Sequence, residues 1–270
     1  MKDIIENRKR IQFSSKLRLG LISIRENGLL YFFYLGISYL GTTLSDFGFR
    51  KSDALRKAKN LPGMNSRAAN KYIWDNWDWS SKGDEWTPSA AWKTSVVKTF
   101  ITPYFKDADT VLEIGPGAGR WTEYLLSHAK RLIAIDISEA CVSECRKRFA
   151  SYPQASFEVG NGFDLHTISA NSIDRIWSFD VFVHINGTEF NSYVAEFHRV
   201  LKAGGIGAIH HGSLGGSSGG WRSNVTLTDV QKFMRENDLE IISQVKSWID
   251  DGEEHQAGLY GDAITVFRKN

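Results

Sequence analysis

Cysteine is almost missing from this 270-residue chain. The two present, Cys141 and Cys145, stand one helical turn apart. That spacing suits neither a disulfide framework nor a structural zinc site, which needs four ligands. It reads instead as two small apolar fillers on the inner face of a helix, in a reducing, cytoplasmic setting. An excess of one charge is missing too. The net charge of +2 argues neither for a nucleic-acid binder nor for a specialist in acidic ligands. No internal repeat occurs. The uncharged, apolar-rich run Gly28 to Ser45 falls short of the roughly 20 apolar residues of a membrane span, and three glycines with Ser38, Thr42 and Thr43 weaken it further. A secretory signal is disfavoured by a long charged leader containing Asp3, Glu6 and Glu26.

What is present divides the chain unevenly. Residues 1–70 read as a basic and apolar helical extension with a linker, and residues 71–270 as one α/β domain. In the extension, Lys2, Arg8, Lys9, Arg10, Lys16, Arg18 and Arg25 precede the uncharged run. Apolar and aromatic residues behind a basic leader leave two readings for residues 1–45: packing on the protein itself or a partner, or an interfacial helix on an anionic membrane surface. Phe49 to Ala69, interrupted by Leu61-Pro62-Gly63, reads as a linker with a short helix around Asp53 to Lys59. Residues 71–92 form an aromatic cover segment with Trp74, Trp77, Trp79, Trp86 and Trp92. Its rings either strap the domain or wall an acceptor site, where interspersed Asp75, Asp78 and Asp84 could hold hydroxyls.

From Ala91 the pattern alternates. Trp92, Val96, Phe100 and Ile101 have helical spacing. Strands are expected at Thr110–Ile114, Arg131–Asp136, Ser156–Val159, within Ser172–Ile185, at Ile206–His210, at Leu239–Trp248 and at Asp262–Phe267. Ser138, Thr188 and Thr228 with Gln231 are the expected helix starts, and Lys202-Ala-Gly204-Gly205 an αL helix stop. This order predicts an α/β fold: a seven-stranded, mostly parallel, doubly wound sheet with an antiparallel last strand, plus the N-terminal helical extension. The loop Gly212 to Gly220 is a candidate lid. The acidic stretch Asp250 to His255 has no recognised metal-ligand spacing, and no metal is expected there.

The chemistry concentrates where the first strand ends. Glu113-Ile-Gly115-Pro116-Gly117-Ala-Gly119-Arg120 joins an apolar strand to a helix start, a recess in which a polar ligand can touch bare backbone. The third glycine comes one residue earlier than in the dinucleotide fingerprint. The motif resembles the first motif of the class I S-adenosylmethionine-dependent methyltransferases. That resemblance, extending over roughly Trp92 to Arg268, implies S-adenosylmethionine as cofactor. It places Asp136, followed by Ile137, on the ribose hydroxyls, a role that suits a carboxylate because it accepts from two hydroxyls at once. It puts Asn161, Gly162 and Phe163 near the adenine, and Ser178, Phe179, Asp180 and Val183 around the methyl-transfer site.

An oxygen acceptor must lose a proton, so a base is useful, and histidine suits neutral pH. His184 follows the fourth strand, and His210 and His211 end the fifth, on the edge where doubly wound sheets bind ligands. The expected activity is O-methylation of a small molecule or glycan, a lipid-linked glycan among them. N-methylation of an amine, an NAD(P)-binding oxidoreductase and a non-catalytic partner subunit remain open alternatives.

Overall fold

The computed structural model describes residues 13–59, 61, 65–215, 222–258 and 260–270. The chain separates into two compact units, Met1–Leu61 and Pro62–Asn270. The basic leader up to residue 12, Pro62, Gly63 and residues 216–220 of the glycine-rich loop lie outside the described residues.

In the first unit, helix α1 runs Phe13–Ala58, kinked where Gly28 leaves helical geometry at φ 84°. The linker expected from Phe49 onward is therefore helix as far as Ala58. Nothing between Phe49 and Ala58 breaks a helix, and Asp53 pairs one turn on with Arg56 at 2.9 Å and Lys57 at 2.8 Å. Arg56 and Lys57 also place cations in the last turn, against the helix dipole.

The second unit opens with helix α2, Arg67–Asp75, capped by the Ser66 side chain, and two short 3₁₀ turns, Trp79–Ser81 and Asp84–Trp86. The helix expected from Ala91 to Phe105 is broken into α3 (Ala90–Val96), a π turn (Val97–Ile101) and α4 (Thr102–Phe105). Strands and helices then alternate: β1 Ala108–Ile114, α5 Thr122–Leu126, β2 Ala129–Asp136, α6 Glu139–Arg148, β3 Ala155–Val159, β4 Ile173–Phe182, α7 Gly187–Val200, β5 Leu201–His211, α8 Leu227–Glu236, β6 Leu239–Val245, then β7 Ser247–Asp250, β8 Glu253–Gln256 and β9 Ala263–Lys269.

The main sheet has seven strands in the order β3-β2-β1-β4-β5-β9-β6. β9 runs antiparallel to both neighbours and the rest are parallel, as expected. Each face carries its own core. One buries Trp92, Phe100, Phe105, Leu125 and Val142; the other buries Phe190, Phe197, Val230 and Met234. Each fully buried aromatic of this kind contributes about 2 kcal/mol. The chain order reverses direction between β1 and β4, so a crevice opens at the strand ends there.

Several local expectations move. The helix after β4 starts at Gly187 behind Asn186 rather than at a Thr188 cap. The capping box before α8 is Thr226 with Asp229, not Thr228 with Gln231, because the earlier pair satisfies two backbone donors reciprocally. The stop after α7 is drawn into β5, with Gly204 at φ 73°. The acidic stretch is no loop: β7 and β8 pair as a hairpin over Asp251-Gly252, both at positive φ, the pattern that a tight two-residue turn demands. Asp250 and Asp251 pair with Lys98 at 3.6 and 2.7 Å.

Candidate functional site

A cavity of about 620 Å³ lies at the C-terminal ends of β1, β2 and β4, a size typical of small-ligand sites. Its floor is the glycine turn. Gly115 continues the sheet by donating its N–H to Ile135 O at 2.8 Å. At φ 68°, a Cβ there would lie 2.2 Å from Val181 Cγ2. Gly117, at φ 58°, would bring a Cβ to 3.1 Å from the Trp79 ring. Glycine at both positions keeps bare backbone against the cavity. Pro116 lines it as well, whereas Gly119 faces Phe149 on the helix side.

The opposite wall comes from β2. Asp136 is buried, its carboxylate accepting from Gly117 N at 3.2 Å and Ser138 N at 2.9 Å. Burial pushes its pKa up to about 6, against the pull of those two N–H groups. Ile137, Gly160 and Gly162 line the cavity beside it. Asn161 does not: its amide closes its own turn, accepting from Phe163 N and Asp164 N at 2.8 and 3.0 Å. Phe163 is partly exposed, with Arg67 5.5 Å from its ring centre. Glu113 sits under the turn, accepting from Thr122 Oγ1 at 2.7 Å. Burial raises its pKa to about 8, so it is protonated at neutral pH and supports the turn from below.

Towards the C-terminal end of β4, Ser178 ties that strand to β1 by donating to Ile114 O at 2.8 Å. Phe179 and Asp180 line the cavity. Val183 is buried, and its carbonyl accepts from Ser223 N at 2.7 Å. Asp180, at a φ of 61°, bridges two side chains: the Arg120 guanidinium through Nη2 on one oxygen and the His210 imidazole, Nδ1 3.0 Å away, on the other. Arg120 Nη1 is buried and has no hydrogen-bond partner among the described residues, yet Arg120 lines the cavity. An unpaired guanidinium N–H at a ligand wall awaits an acceptor.

The three candidate histidines separate sharply. His184 lines the cavity with its ring 5.6 Å from Trp74, edge to face. His210 stands one layer behind, stacked on Phe179 at 4.2 Å. His211 is buried in the other core, its nitrogens 2.7 Å from Gly212 O and from Thr265 Oγ1. Burial lowers its pKa to about 4, which keeps it neutral.

The cover is more extensive than the aromatic segment alone. Trp74, Trp77, Trp79 and Trp86 all line the cavity and pack on one another, with ring centres 5.3 to 6.1 Å apart. Asn65, Arg67 and Asn70, which the sequence placed in the linker, and Ile73 of the aromatic segment join them from α2 and the residues before it. Two polar ties hold α2 down: Ser138 Oγ donates to Asp75 at 2.8 Å, and Lys71 Nζ to Ile137 O at 3.3 Å. Ser66 as helix cap ahead of a polar-apolar period was the available signal. Glu189, Tyr193, Arg222 and Tyr260 also line the cavity; no local pattern marks them.

These residues fit S-adenosylmethionine. A buried carboxylate at the β2 end suits a ribose diol, bare glycine backbone suits the amino-acid part, and the orphaned Arg120 N–H suits its carboxylate. The family model described as methyltransferase domain matches residues 111–205. The second unit around these residues has the class I methyltransferase fold. A Mycolicibacterium smegmatis protein named as a probable S-adenosylmethionine-dependent methyltransferase is 34% identical over 96 residues, 36% of this chain and 35% of that protein. Among solved structures, the N-methyltransferase NodS of Bradyrhizobium japonicum, in complex with S-adenosyl-L-homocysteine, is 19% identical with a TM-score of 0.55, over 72% of this chain and 92% of NodS. The methyltransferase solved with the Haloferax volcanii Trm112 activator is 21% identical with a TM-score of 0.57, over 72% and 96%. At these identities the solved structures speak for the methyltransferase fold. The match spans about a third or less of the length of the curated relatives.

Proposed function

We propose that this protein transfers a methyl group from S-adenosylmethionine to a hydroxyl of a small-molecule or glycan acceptor, with His184 as general base. When bound, the cofactor supplies an electrophilic methyl on a sulfonium. The chain's own contribution is alignment, exclusion of water and removal of one proton. Asp136 and the glycine turn orient the cofactor, Phe179 and Asp180 border the transfer region, and His184 takes the acceptor's proton. The tryptophan wall offers ring faces for stacking on a sugar or arene.

The observation that carries this reading is the position of His184 on the cavity, where neither His210 nor His211 lies. His184→Gln is expected to lower kcat for a hydroxyl acceptor by about 10²–10⁴-fold, while the affinity for S-adenosyl-L-homocysteine holds. Transfer of labelled methyl to a panel of sugars, phenols and amines, followed by pH–rate profiles of both proteins, checks it. An unchanged kcat, or transfer to amines alone, would sink the O-methyl reading.

A further inference from the structure

Helix α1 carries an apolar stripe of its own. Leu30, Phe33, Ile37, Leu40, Leu44 and Phe47 recur every three or four residues, so they share one stripe of the helix. All six are between 51% and 71% exposed. No side chain between Gly28 and Ser45 is charged, and helical spacing puts Ser38 and Thr42 together with Leu35 on the face behind the stripe, Thr42 Oγ1 donating back to Ser38 O at 3.0 Å.

Charge tells what covers this stripe. The first 59 residues hold twelve Lys and Arg against five Asp and Glu, while the remainder holds twenty-one against twenty-six. The basic excess brackets the uncharged run, from Arg25 on one side to Arg50 and Lys51 on the other. Of the two later acids, Asp46 borders the run and Asp53 is taken up by Arg56 and Lys57, so Asp53 adds nothing to offset the excess locally. No helix among the described residues is long and apolar enough to cross a membrane. A second copy of the helix is a poorer occupant, because the positions flanking the stripe, Tyr34, Gly36, Gly41 and Thr43, carry no charges to set a pairing.

We propose that α1 docks on an anionic phospholipid surface. It lies in the interface with the stripe turned into the acyl boundary, and the flanking cations sit at the headgroups. This stands apart from the identity of the acceptor and from the transfer chemistry. The full chain is expected to co-sediment with vesicles of phosphatidylglycerol mixed with phosphatidylcholine. It binds pure phosphatidylcholine vesicles at least about tenfold more weakly, and added salt erodes the difference.

The triple change Phe33→Ser, Ile37→Ser and Leu40→Ser is expected to weaken partitioning by about a hundredfold. Circular dichroism and a thermal melt check that this variant folds. A second variant, Arg50→Glu with Lys51→Glu, keeps the stripe and is expected to lose about tenfold on the anionic vesicles only. Equal sedimentation with both vesicle types overturns the proposal. So does a stable dimer in analytical ultracentrifugation that fails to bind vesicles.

Discussion

Asp136→Ala is expected to weaken binding of S-adenosylmethionine and its demethylated product by at least about a hundredfold, because two charge-assisted hydrogen bonds to a buried carboxylate are worth about 1.5–3 kcal/mol each. Asp136→Asn keeps one acceptor and the shape, and falls between. The wild-type protein already contains a milder form of the same experiment. Burial raises the Asp136 pKa from 3.8 to about 6, so below that pH the group is a neutral acid and cannot accept from both hydroxyls of a diol. Affinity should therefore climb as pH rises through about 6 and level off above it. Binding near pH 6 should release a proton, which calorimetry in two buffers of different ionisation enthalpy measures. Affinity that is flat from pH 5 to 8 would contradict this role.

The same raised pKa values act on stability with the opposite sign. A carboxyl whose folded pKa lies above its unfolded value stabilises the fold at low pH and loses that contribution as pH rises through the folded pKa. For Asp136 the window is 3.8 to about 6, and for Glu113 it is 4.5 to about 8. The ligand-free protein should accordingly melt at a lower temperature at pH 8 than at pH 6, with bound product narrowing the gap.

How much of this was legible depended on whether the signal was local. The glycine turn, the acid ending β2 and the strand order are readable because each is a short periodic or positional pattern, and the structure assembles them at one crevice. The histidines show the limit. His210 and His211 end a strand at the correct edge of the sheet, but successive strand residues point to opposite faces. One therefore stacks on Phe179 and the other lies edge-on to Phe190, 6.0 Å away, and both belong behind the cavity wall. Asn161, expected beside the adenine, spends its amide on the turn that follows β3, a competition typical of short polar side chains. Arg222 and Tyr260 come from separate loops, 38 residues apart in numbering, and meet as a guanidinium over a ring at 4.9 Å. Only the folded sheet brings such residues together.

Asp180 is the second position where a single change should have a large effect. Burial alone would push its carboxyl pKa up, yet Arg120 and then His210 hold it well below the usual carboxylate range. Arg120 and His210 are themselves buried, their side chains 6% and 1% exposed. Asp180→Ala removes the one carboxylate that both share, and leaves a guanidinium enclosed without its counter-charge. Breaking a buried pair in this way costs about 3–5 kcal/mol, and the lower end applies because the Asp180 side chain is still 30% exposed. In a domain of this size that lowers the melting temperature by roughly 10 °C. Asp180→Asn, which still accepts hydrogen bonds, should lose less. The decisive comparison is Arg120→Met combined with Asp180→Ala. If the cost lies in the stranded charge, the double variant melts above Asp180→Ala, and the coupling appears as non-additivity. If the two changes simply add, Asp180 is doing something other than neutralising Arg120. Cofactor affinity distinguishes further: Arg120 lines the cavity, so the double variant regains stability while still binding S-adenosyl-L-homocysteine poorly.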